Sequence, residues 1–303
     1  MSSTELGNWI DGKELAAAGG QQLDNINPAT GEVICKVPCS QAEDVDSACT
    51  AARKAQVEWA AISLEQRAEM LQKVAALIDQ NAESLARLES EDTGKPISLA
   101  LAVDIPRAAD NFRFFAEFGC QQGEETFPME DAVNLVRRQA HGVVALITPW
   151  NLPLYLLTWK VAPALLCGNS CVCKPSELTP RTATELGRLI QQAGIPDGVY
   201  NCIHGRGDEA GAPLVAHPTV KAVSFTGGTK TGRQINATAA AGLKKCSLEL
   251  GGKNPSVVFA DCDFAATVVG VARAAFLNQG QICLSGSRLL VEESIAVRFV
   301  EGV

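Results

Sequence analysis

The stretch "GVVALITPWN", residues 142–151, decides the fold, because an unbroken apolar run passes directly into a polar loop. Such a run is typical of a strand that is buried on both faces of a parallel sheet. Four later segments repeat the pattern: "SCVCKPSE" (170–177), "GVYNCIHG" (198–205), "KAVSFTGG" (221–228) and "KCSLELGG" (245–252). With helical segments between them, this alternation predicts an α/β protein built on a doubly wound parallel sheet with right-handed crossovers.

The loops that follow these strands are polar or rich in glycine. In chain order they are "TPWN", "KPSE", "HGRG", "FTGG" and "ELGG". Open parallel sheets bind their ligands at the carboxyl ends of the strands, where such loops meet. We therefore expect the functional site at this edge of the sheet.

Composition restricts the class of protein. The chain has 303 residues, is 47% hydrophobic and carries a net charge of −8 without a cluster of lysine and arginine, which argues against nucleic-acid and anionic membrane partners. The N-terminal stretch lacks the features of a signal peptide, and eleven cysteines without an export signal favour a reducing, cytoplasmic compartment. Three scattered histidines give no metal-site pattern, so we expect no metal.

Local signals outside the sheet predict an N-terminal hairpin and then a series of helices. In "SLEQ", Ser63 and Gln66 predict a capping box at a helix start. Pro106 stands inside a long helical pattern, and Thr179 is the expected N-cap of a later helix. A last helix is predicted over residues 264–279.

One cysteine stands apart from the others. Cys283 lies in "NQGQICLSGS", residues 278–287, where its neighbours are polar or glycine. Free cysteines in apolar strands are usually inert core residues, and this applies to Cys171, Cys173, Cys202 and Cys246. The open surroundings of Cys283 favour a nucleophile over a residue that merely ends a helix. A hydrolase would require a histidine base, which the scattered histidines do not provide.

Two further side chains are candidates for chemistry. Glu249 ends an apolar strand, where burial would raise the pKa of its carboxyl toward that of a general base; a buried glutamate satisfied by backbone amides is the alternative. Asn151 follows the strand 143–147, and its amide is placed to donate to an oxyanion. An ordinary turn asparagine is the alternative for Asn151.

Dinucleotide signals are present but individually weak. Gly205-x-Gly207 with Gly211 approximates a dinucleotide fingerprint whose third glycine falls one place late. In "FTGGTKTG", residues 225–232, two glycines turn a strand into a helix whose free amides would attract a phosphate; a plain tight turn is the alternative. Lys174 and Glu177 would contact a cofactor ribose or form a solvated loop pair.

Taken together, "TPWNLP", "KPSE", "FTGGTKTG", "LELGGKNP" and "NQGQICLSGSR" resemble the NAD(P)-dependent aldehyde dehydrogenase superfamily, in this order and spacing. The resemblance runs from "IDGKEL" to the end of the chain and implies a Rossmann-like sheet. It implies that Cys283 attacks the aldehyde to give a thiohemiacetal, which becomes a thioester. Asn151 and the Cys283 amide would hold the oxyanion, and Glu249 would activate the hydrolytic water. Glu249 argues against a CoA-acylating relative, which needs no such base.

The resemblance also implies a cofactor site. Its residues would be Thr148, Trp150, Lys174, Glu177, Gly207, Gly211, Gly227, Gly228, Thr229, Gly232 and Leu250. A carboxylate at Glu177 favours NAD, since it would repel the additional phosphate of NADP. The resemblance implies a small-molecule aldehyde as the partner. Family members are homo-oligomers, a state that the resemblance implies for a chain with the whole catalytic domain and not for this shorter one. Gly228 departs from the family, because most relatives carry a serine there.

The subfamily signal lies in "DIPRAADNFRFFAEF" and "PWNLPLYLLTWK", which resemble the branch that oxidises 2-aminomuconic and 2-hydroxymuconic semialdehydes. Those substrates carry a carboxylate, and Arg107 is the candidate to bind it as a bidentate partner. The alternative is a surface arginine paired with Asp104 or Asp110, and Arg113 is the second choice.

The resemblance finally implies a domain division. Residues 1–250 would form the NAD-binding domain, with a protruding strand region near 121–141, and residues 251–303 would begin an incomplete catalytic α/β domain. The chain ends twenty residues after Cys283 and lacks the Glu-x-Phe-Gly-Pro motif of the family. Two readings therefore stay open: a truncated dehydrogenase chain, or a non-catalytic NAD-binding product.

Overall fold

The computed structural model describes residues 4–121 and 123–303. Residues 1–3, at the N-terminus where no signal peptide is predicted, and Gln122, in the predicted protruding region, lie outside the described part. Within the described part, no helix is both long and apolar enough to cross a membrane.

The contacts divide the chain into two units. The first runs to Thr226 and includes Lys230–Leu248, and the second comprises Gly227–Thr229 and Glu249–Val303. The strands are β1 Thr4–Glu5, β2 Asn8–Ile10, β3 Lys13–Leu15, β4 Gln22–Ile26, β5 Val33–Pro38, β6 Glu125–Pro128, β7 Val133–Val136, β8 Val143–Ile147, β9 Ser170–Lys174, β10 Tyr200–Cys202, β11 Val220–Thr226, β12 Lys245–Glu249, β13 Pro255–Val258 and β14 Arg288–Val291.

The helices alternate with these strands as the sequence predicts. They are α1 Ala42–Ala61, α2 Leu64–Gln80, α3 Ala82–Thr93, α4 Ile97–Leu99, α5 Ile105–Cys120, α6 Pro153–Leu166, α7 Arg181–Gln192, α8 Ala212–Ala216, α9 Thr229–Ala241, α10 Phe264–Phe276 and α11 Ala296–Gly302. Short π-helices cover Ala100–Asp104 and Gly207–Gly211, and 3₁₀ turns cover Leu277–Gly280 and Glu293–Ile295.

The main sheet has the strand order β12-β11-β8-β9-β10-β2-β3. Strands β8, β9, β10 and β11 pair in parallel, which confirms the predicted sheet, and every residue of β8 and β9 is buried. The N-terminal hairpin β2–β3 extends this sheet with antiparallel pairing beyond β10. The sequence indicated the hairpin but not its place, because only the folded sheet presents the free edge of β10.

Trp9 fixes that added hairpin against the rest of the first unit. It is buried on β2, and a side chain on Gly187 of α7 would come within 2.7 Å of its ring. Helices α1, α6 and α7 also contact strands β8–β10. Helices therefore pack on the central strands. In such a sheet, ligands bind at the loops that follow the carboxyl ends of the strands.

Several predicted helix boundaries are tested by the structure. The capping box of Ser63 and Gln66 is present at the start of α2. Pro106 lies inside a continuous helical stretch, residues 97–120, as the sequence predicts, and directly follows its π-helical turn Ala100–Asp104.

The prediction that Thr179 caps α7 is wrong. Its buried hydroxyl has no hydrogen-bond partner among residues 4–121 and 123–303, and the Arg181 amide donates instead to the Asp92 carboxylate of α3 at 3.2 Å. The cap comes from another helix, which local sequence cannot indicate. The predicted helix 264–279 ends early, at Phe276, because the backbone turns left-handed at Asn278 and Gln279.

The hairpin β6–β7 is exposed at every position. It pairs antiparallel from Glu125 opposite Val136 to Pro128 opposite Val133. Phe127, Val133 and Leu135 are more than half exposed, and Val136 is 40% exposed.

The second unit is small. Strands β13 and β14 pair in parallel, and Val258, Val271 and Phe299 form its core. Phe264 packs edge-on against Phe299 at 5.5 Å between ring centroids, and the Arg298 guanidinium lies 4.0 Å from the Phe264 ring.

Candidate active site

The carboxyl ends of β8 and β9 bring two predicted cofactor residues together. The Thr148 amide donates to the Lys174 carbonyl at 3.2 Å, which joins the two loops directly. The Thr148 side chain is buried, and its hydroxyl has no hydrogen-bond partner among the described residues. Buried hydroxyls are normally satisfied, so this group is available to a ligand.

Lys174 and Glu177 form a partly buried pair. The Lys174 ammonium donates to the Pro175 carbonyl at 2.7 Å and lies 3.5 Å from the Glu177 carboxylate. Burial lowers the pKa of Lys174, and the charge of Glu177 opposes that change. Because Lys174 is buried while Glu177 keeps 38% of its side chain exposed, the alternative of a solvated loop pair is wrong for the lysine.

The glycines after β10 differ in their packing. A side chain on Gly211 would come within 3.4 Å of the Lys174 chain, so Gly211 lies beside the same lysine. Gly207 begins the π-helix that contains Gly211, and a side chain there would meet open space. The 3.4 Å distance at Gly211 is an ordinary van der Waals contact, so close packing requires neither glycine.

Trp150 and Asn151 lie in the loop that connects β8 to α6. Trp150 is 42% exposed, whereas Asn151 is half-buried. The Asn151 carbonyl accepts a hydrogen bond from the buried Lys95 ammonium at 3.1 Å. Asn151 is thus held through its backbone by a charged side chain that follows α3.

Arg107 is exposed on α5 and contacts Tyr155 of α6. Its guanidinium donates to the Tyr155 hydroxyl at 3.3 Å and lies 5.4 Å from the ring centroid. The ion-pair alternative for Arg107 is wrong, because Asp104 pairs with Lys95 and Asp110 pairs with Arg113. Within the described residues Arg107 has no carboxylate partner. The second choice, Arg113, is already engaged by Asp110 and also by Asp79.

In the second unit, the glycine turn lies next to the backbone of Glu249. The Gly227 amide donates to the Glu249 carbonyl at 3.0 Å, while Gly228 and Thr229 are exposed. The Glu249 side chain is exposed too, so the expected apolar surroundings are absent. A serine side chain would find open space at Gly228, so packing does not require that glycine.

Of the remaining predicted cofactor residues, Leu250 is half-buried in the second unit. Gly232 is buried in α9 and belongs to the first unit.

Cys283 lies on a loop that is tied to the segment carrying Glu249. The Asn254 side-chain amide donates to the Cys283 carbonyl at 2.6 Å and to the Ser285 carbonyl at 3.3 Å. A side chain on Gly252 would come within 3.0 Å of the same Cys283 carbonyl. The motifs "LELGGKNP" and "NQGQICLSGSR" are therefore in direct contact.

The backbone before Cys283 is unusual. Asn278, Gln279 and Gly280 all have left-handed conformations, with φ of 54°, 56° and 69°. Side-chain-bearing residues adopt this region at a cost, and such strain is concentrated at functional sites. This turn ends α10 and presents Cys283 with its side chain exposed.

The other cysteines are buried, half-buried or exposed. Cys171, Cys173 and Cys202 are fully buried, and burial raises the pKa of Cys202 to about 12, as expected for inert core residues. Cys246 is only half-buried. Exposure alone does not single out Cys283, because Cys120 and Cys167 are exposed as well. What distinguishes Cys283 is its glycine-rich, strained loop.

The predicted site residues thus form two groups. Thr148, Lys174, Glu177 and Gly211 are adjacent in the first unit, and Gly227, Glu249 and the Cys283 loop are connected in the second. Asn151 belongs to the first unit, so its approach to Cys283 stays a prediction. Within the described residues, no three metal-ligating side chains cluster.

Sequence reasoning missed a set of buried polar residues behind Asn151: Glu89, Lys95, Asp104 and Asn111. One signal was available. Glu89 falls four residues after Leu85, on the apolar stripe of its helix, where a charged residue requires an explanation.

A family model described as the aldehyde dehydrogenase family matches residues 15–303. The 2-aminomuconic semialdehyde dehydrogenase of Bos taurus is 46% identical over 298 residues, covering 98% of this chain and 61% of the relative. The 2-hydroxymuconic semialdehyde dehydrogenase of Pseudomonas sp. (strain CF600) is 46% identical over 303 residues, covering 98% of this chain and 62% of the relative. The chain thus spans about three fifths of the length of the curated relatives it matches.

Solved structures share the fold. An indole-3-acetaldehyde dehydrogenase in complex with NAD⁺ matches with a TM-score of 0.97 and 42% identity, over 99% of this chain and 62% of that one. An NAD⁺ complex of an aldehyde dehydrogenase from Bacillus cereus matches with a TM-score of 0.96 and 38% identity, over 98% of this chain and 61% of that one.

Proposed function

This chain belongs to the aldehyde dehydrogenase family, and we propose that it oxidises an aldehyde to the carboxylic acid with NAD, through a covalent cysteine intermediate. The observation that carries the proposal is the Cys283 loop. Asn254 and Gly252 hold this exposed cysteine against the segment of Glu249, so nucleophile and base lie on connected backbone. Nucleophilic catalysis divides one difficult step into two easier ones.

The residues act in sequence. Cys283, as thiolate, adds to the aldehyde carbon to give a thiohemiacetal oxyanion. The Asn151 amide and the Cys283 backbone amide donate to that oxygen. After oxidation to the thioester, Glu249 takes a proton from the attacking water, and Cys283 leaves as thiolate. The Glu249 side chain is exposed, so its carboxylate is accessible to that water.

NAD, when bound, supplies the acceptor for the hydride that the thiohemiacetal loses. The chemistry of the first-unit residues fits such a cofactor: the unpartnered Thr148 hydroxyl, the buried Lys174 and the half-exposed Glu177 offer donors and an acceptor for ribose hydroxyls. Gly211 lies beside the Lys174 side chain. The NAD⁺ complexes among the similar structures support the same choice.

The substrate is a semialdehyde that carries a carboxylate, such as 2-aminomuconic semialdehyde. Arg107 supports this choice, because it is exposed, has no acidic partner among the described residues and is oriented by Tyr155. The names of the relatives, 2-aminomuconic and 2-hydroxymuconic semialdehyde dehydrogenase, point to the same class.

Further assignments belong to the same proposal. Residues 1–250 would be the NAD-binding domain and residues 251–303 the start of the catalytic domain. Eleven free cysteines support a reducing, cytoplasmic compartment. The exposed apolar side chains of β6–β7 support self-association into a homo-oligomer.

An NADH-absorbance assay with 2-aminomuconic semialdehyde tests the activity, and calorimetry with NAD tests cofactor binding separately. We expect turnover that is lost in C283A and kept in C120A, which removes another exposed cysteine. NAD binding without turnover in the wild type would contradict the dehydrogenase proposal and support the non-catalytic alternative.

A further inference from the structure

Three buried side chains hold the backbone of residues 151–155, where the loop after β8 enters α6. Lys95 donates to the Asn151 carbonyl at 3.1 Å, and Asn111 donates to the Tyr155 carbonyl at 3.0 Å. Glu89 accepts from the Leu154 amide at 3.4 Å. Three of the five residues in this short segment thus have a backbone group bound by a polar side chain from outside it.

One of these three side chains, Lys95, also belongs to an ion pair that is closed to solvent. The Lys95 ammonium and the Asp104 carboxylate lie 2.7 Å apart, and each side chain is 1% exposed. Removing two charges from water is costly, and an apolar pair of similar volume is often as stable. The pair therefore calls for a role other than stability, and its contact with Asn151 supplies one.

Both members of the pair are fixed by local backbone features. α3 ends at Thr93 with Gly94 left-handed, and the Ser90 hydroxyl then donates to the Lys95 carbonyl at 2.6 Å. Asp104 is the last residue of the π-helix Ala100–Asp104. A π-helix inserts an extra residue into a turn and is frequent at functional sites, and here it ends with Asp104 directed at Lys95.

The other two buried side chains, Glu89 on α3 and Asn111 on α5, connect residues 151–155 to those helices. Glu89 is completely buried, and one of its carboxylate oxygens makes no hydrogen bond. Asn111 donates not only to the Tyr155 carbonyl but also to the Thr158 hydroxyl at 2.9 Å. Tyr155 in turn accepts from Arg107, so the same segment carries Asn151 at one end and the partner of Arg107 at the other.

We propose that Glu89, Lys95, Asp104 and Asn111, named here the polar clamp, are positioning residues that hold residues 151–155 so that the Asn151 amide and the Tyr155 hydroxyl keep fixed positions. The clamp rests on the proposed function only for the role of Asn151 as oxyanion donor. Its action on the backbone is a separate claim that needs no turnover.

Hydrogen exchange tests that separate claim. The variant K95M/D104L replaces the pair by apolar side chains and so leaves no buried charge unpaired. We expect amide exchange over residues 151–155 to rise about tenfold or more, as for loss of one charged hydrogen bond. R67M is the matched control, because Arg67 is a buried cation that donates to the Leu166 carbonyl, at the other end of α6.

R67M should raise exchange near residue 166 and leave residues 151–155 unchanged. Wild-type exchange over residues 151–155 in folded K95M/D104L would overturn the clamp. If K95M/D104L does not fold, N111A removes one neutral donor to Tyr155 and is judged by the same criterion.

Kinetics test the connection to Asn151. We expect K95M/D104L to lower kcat with the KM for NAD unchanged, and to cause no further loss when combined with N151A. An additional loss in the N151A background, equal to that in the wild type, would show that the pair does not act through Asn151 and would overturn the positioning role.

The two proposals fail differently. If N151A itself keeps the wild-type rate, the oxyanion role of Asn151 is wrong, while hydrogen exchange still decides whether the clamp holds the segment. If the wild-type chain does not turn over, the rate at which iodoacetamide labels Cys283 is measured with and without the aldehyde. The protection given by the aldehyde is then compared between the same variants.

Discussion

The Asn254 side-chain amide donates a hydrogen bond to the backbone carbonyl of Cys283 at 2.6 Å. These residues are far apart in sequence, yet this bond joins the strand end that carries Glu249 to the loop that carries the exposed cysteine. A second bond from Asn254, to the Ser285 carbonyl at 3.3 Å, fixes the loop where it continues after Cys283. One asparagine thus binds the backbone from which Cys283, the proposed nucleophile, projects.

Replacing Asn254 should therefore disturb the cysteine loop. We expect N254A to lower kcat by about tenfold, because loss of a hydrogen bond of this kind costs on the order of 1 kcal/mol or more. NADH formation measures the effect. N236A, which replaces an exposed asparagine on α9, is the control and should leave kcat unchanged. Equal rates for N254A and the wild type would show that the loop holds its shape without this bond.

Cys283 should be the site of the covalent intermediate. With an aldehyde-directed electrophile and intact-mass detection, we expect a single adduct that disappears in C283A and persists in C120A and C167A. Those controls remove the other exposed thiols. Labelling spread evenly over several cysteines would remove the reason to single out Cys283.

Arg107 should recognise the charge of the substrate. R107M should raise the KM for a carboxylate-bearing semialdehyde about 10- to 100-fold, the usual range for a lost charged hydrogen bond, and leave an uncharged aldehyde unaffected. R113M is the matched control, since Arg113 is already paired with Asp79 and Asp110. A uniform effect of R107M on both aldehydes would contradict a role in carboxylate binding.

Glu177 should select NAD over NADP. E177A should weaken NAD binding about tenfold through the lost acceptor while NADP binding weakens less or improves, because the repelling charge is gone. Calorimetry with both nucleotides measures the ratio, and E43Q, an exposed acid on α1, is the control. An unchanged NAD-to-NADP ratio in E177A would argue against contact with the adenosine ribose.

Glu89 should make stability depend on pH. Burial raises the pKa of its carboxyl from 4.5 to about 8; Lys95 opposes that change, and the charges of Asp104 and Asp92 reinforce it. The folded chain therefore keeps a proton that the unfolded chain releases. This contribution to stability is complete below pH 4.5 and is lost as the pH rises through 8.

E89Q cannot ionise, so its melting temperature should exceed that of the wild type by a margin that grows from pH 5 to pH 8. E83Q, on the exposed face of α3, should follow the wild-type curve. Parallel curves for E89Q and the wild type would mean that Glu89 does not carry a proton in the folded state.

Much of the fold could be predicted from the sequence. The runs 143–147 and 170–174 are strands buried on both faces, and their composition alone indicates this. The capping box of Ser63 is a local pattern and is present. The predicted family is confirmed by the model that matches residues 15–303, because its motifs are contiguous stretches of chain.

Predictions that depended on partners from elsewhere in the chain were less reliable. Thr179 does not cap α7, since Asp92 does so from α3. Glu249 is exposed although it ends a strand, and Arg107 contacts Tyr155 instead of a neighbouring acid on its own helix. In each case the residue type was informative, but its environment was set by a distant segment.

The sequence by itself determined the elements and the chemical groups at the strand ends, because periodicity, turn residues and motif spacing are local properties. Only the tertiary structure decided that Lys95 holds Asn151, that Asn254 holds Cys283 and that the Thr148 hydroxyl is buried with no hydrogen-bond partner in the described part of the chain. These contacts join residues separated by tens of positions. They form only after apolar burial has brought the helices and strands together, which no local pattern encodes.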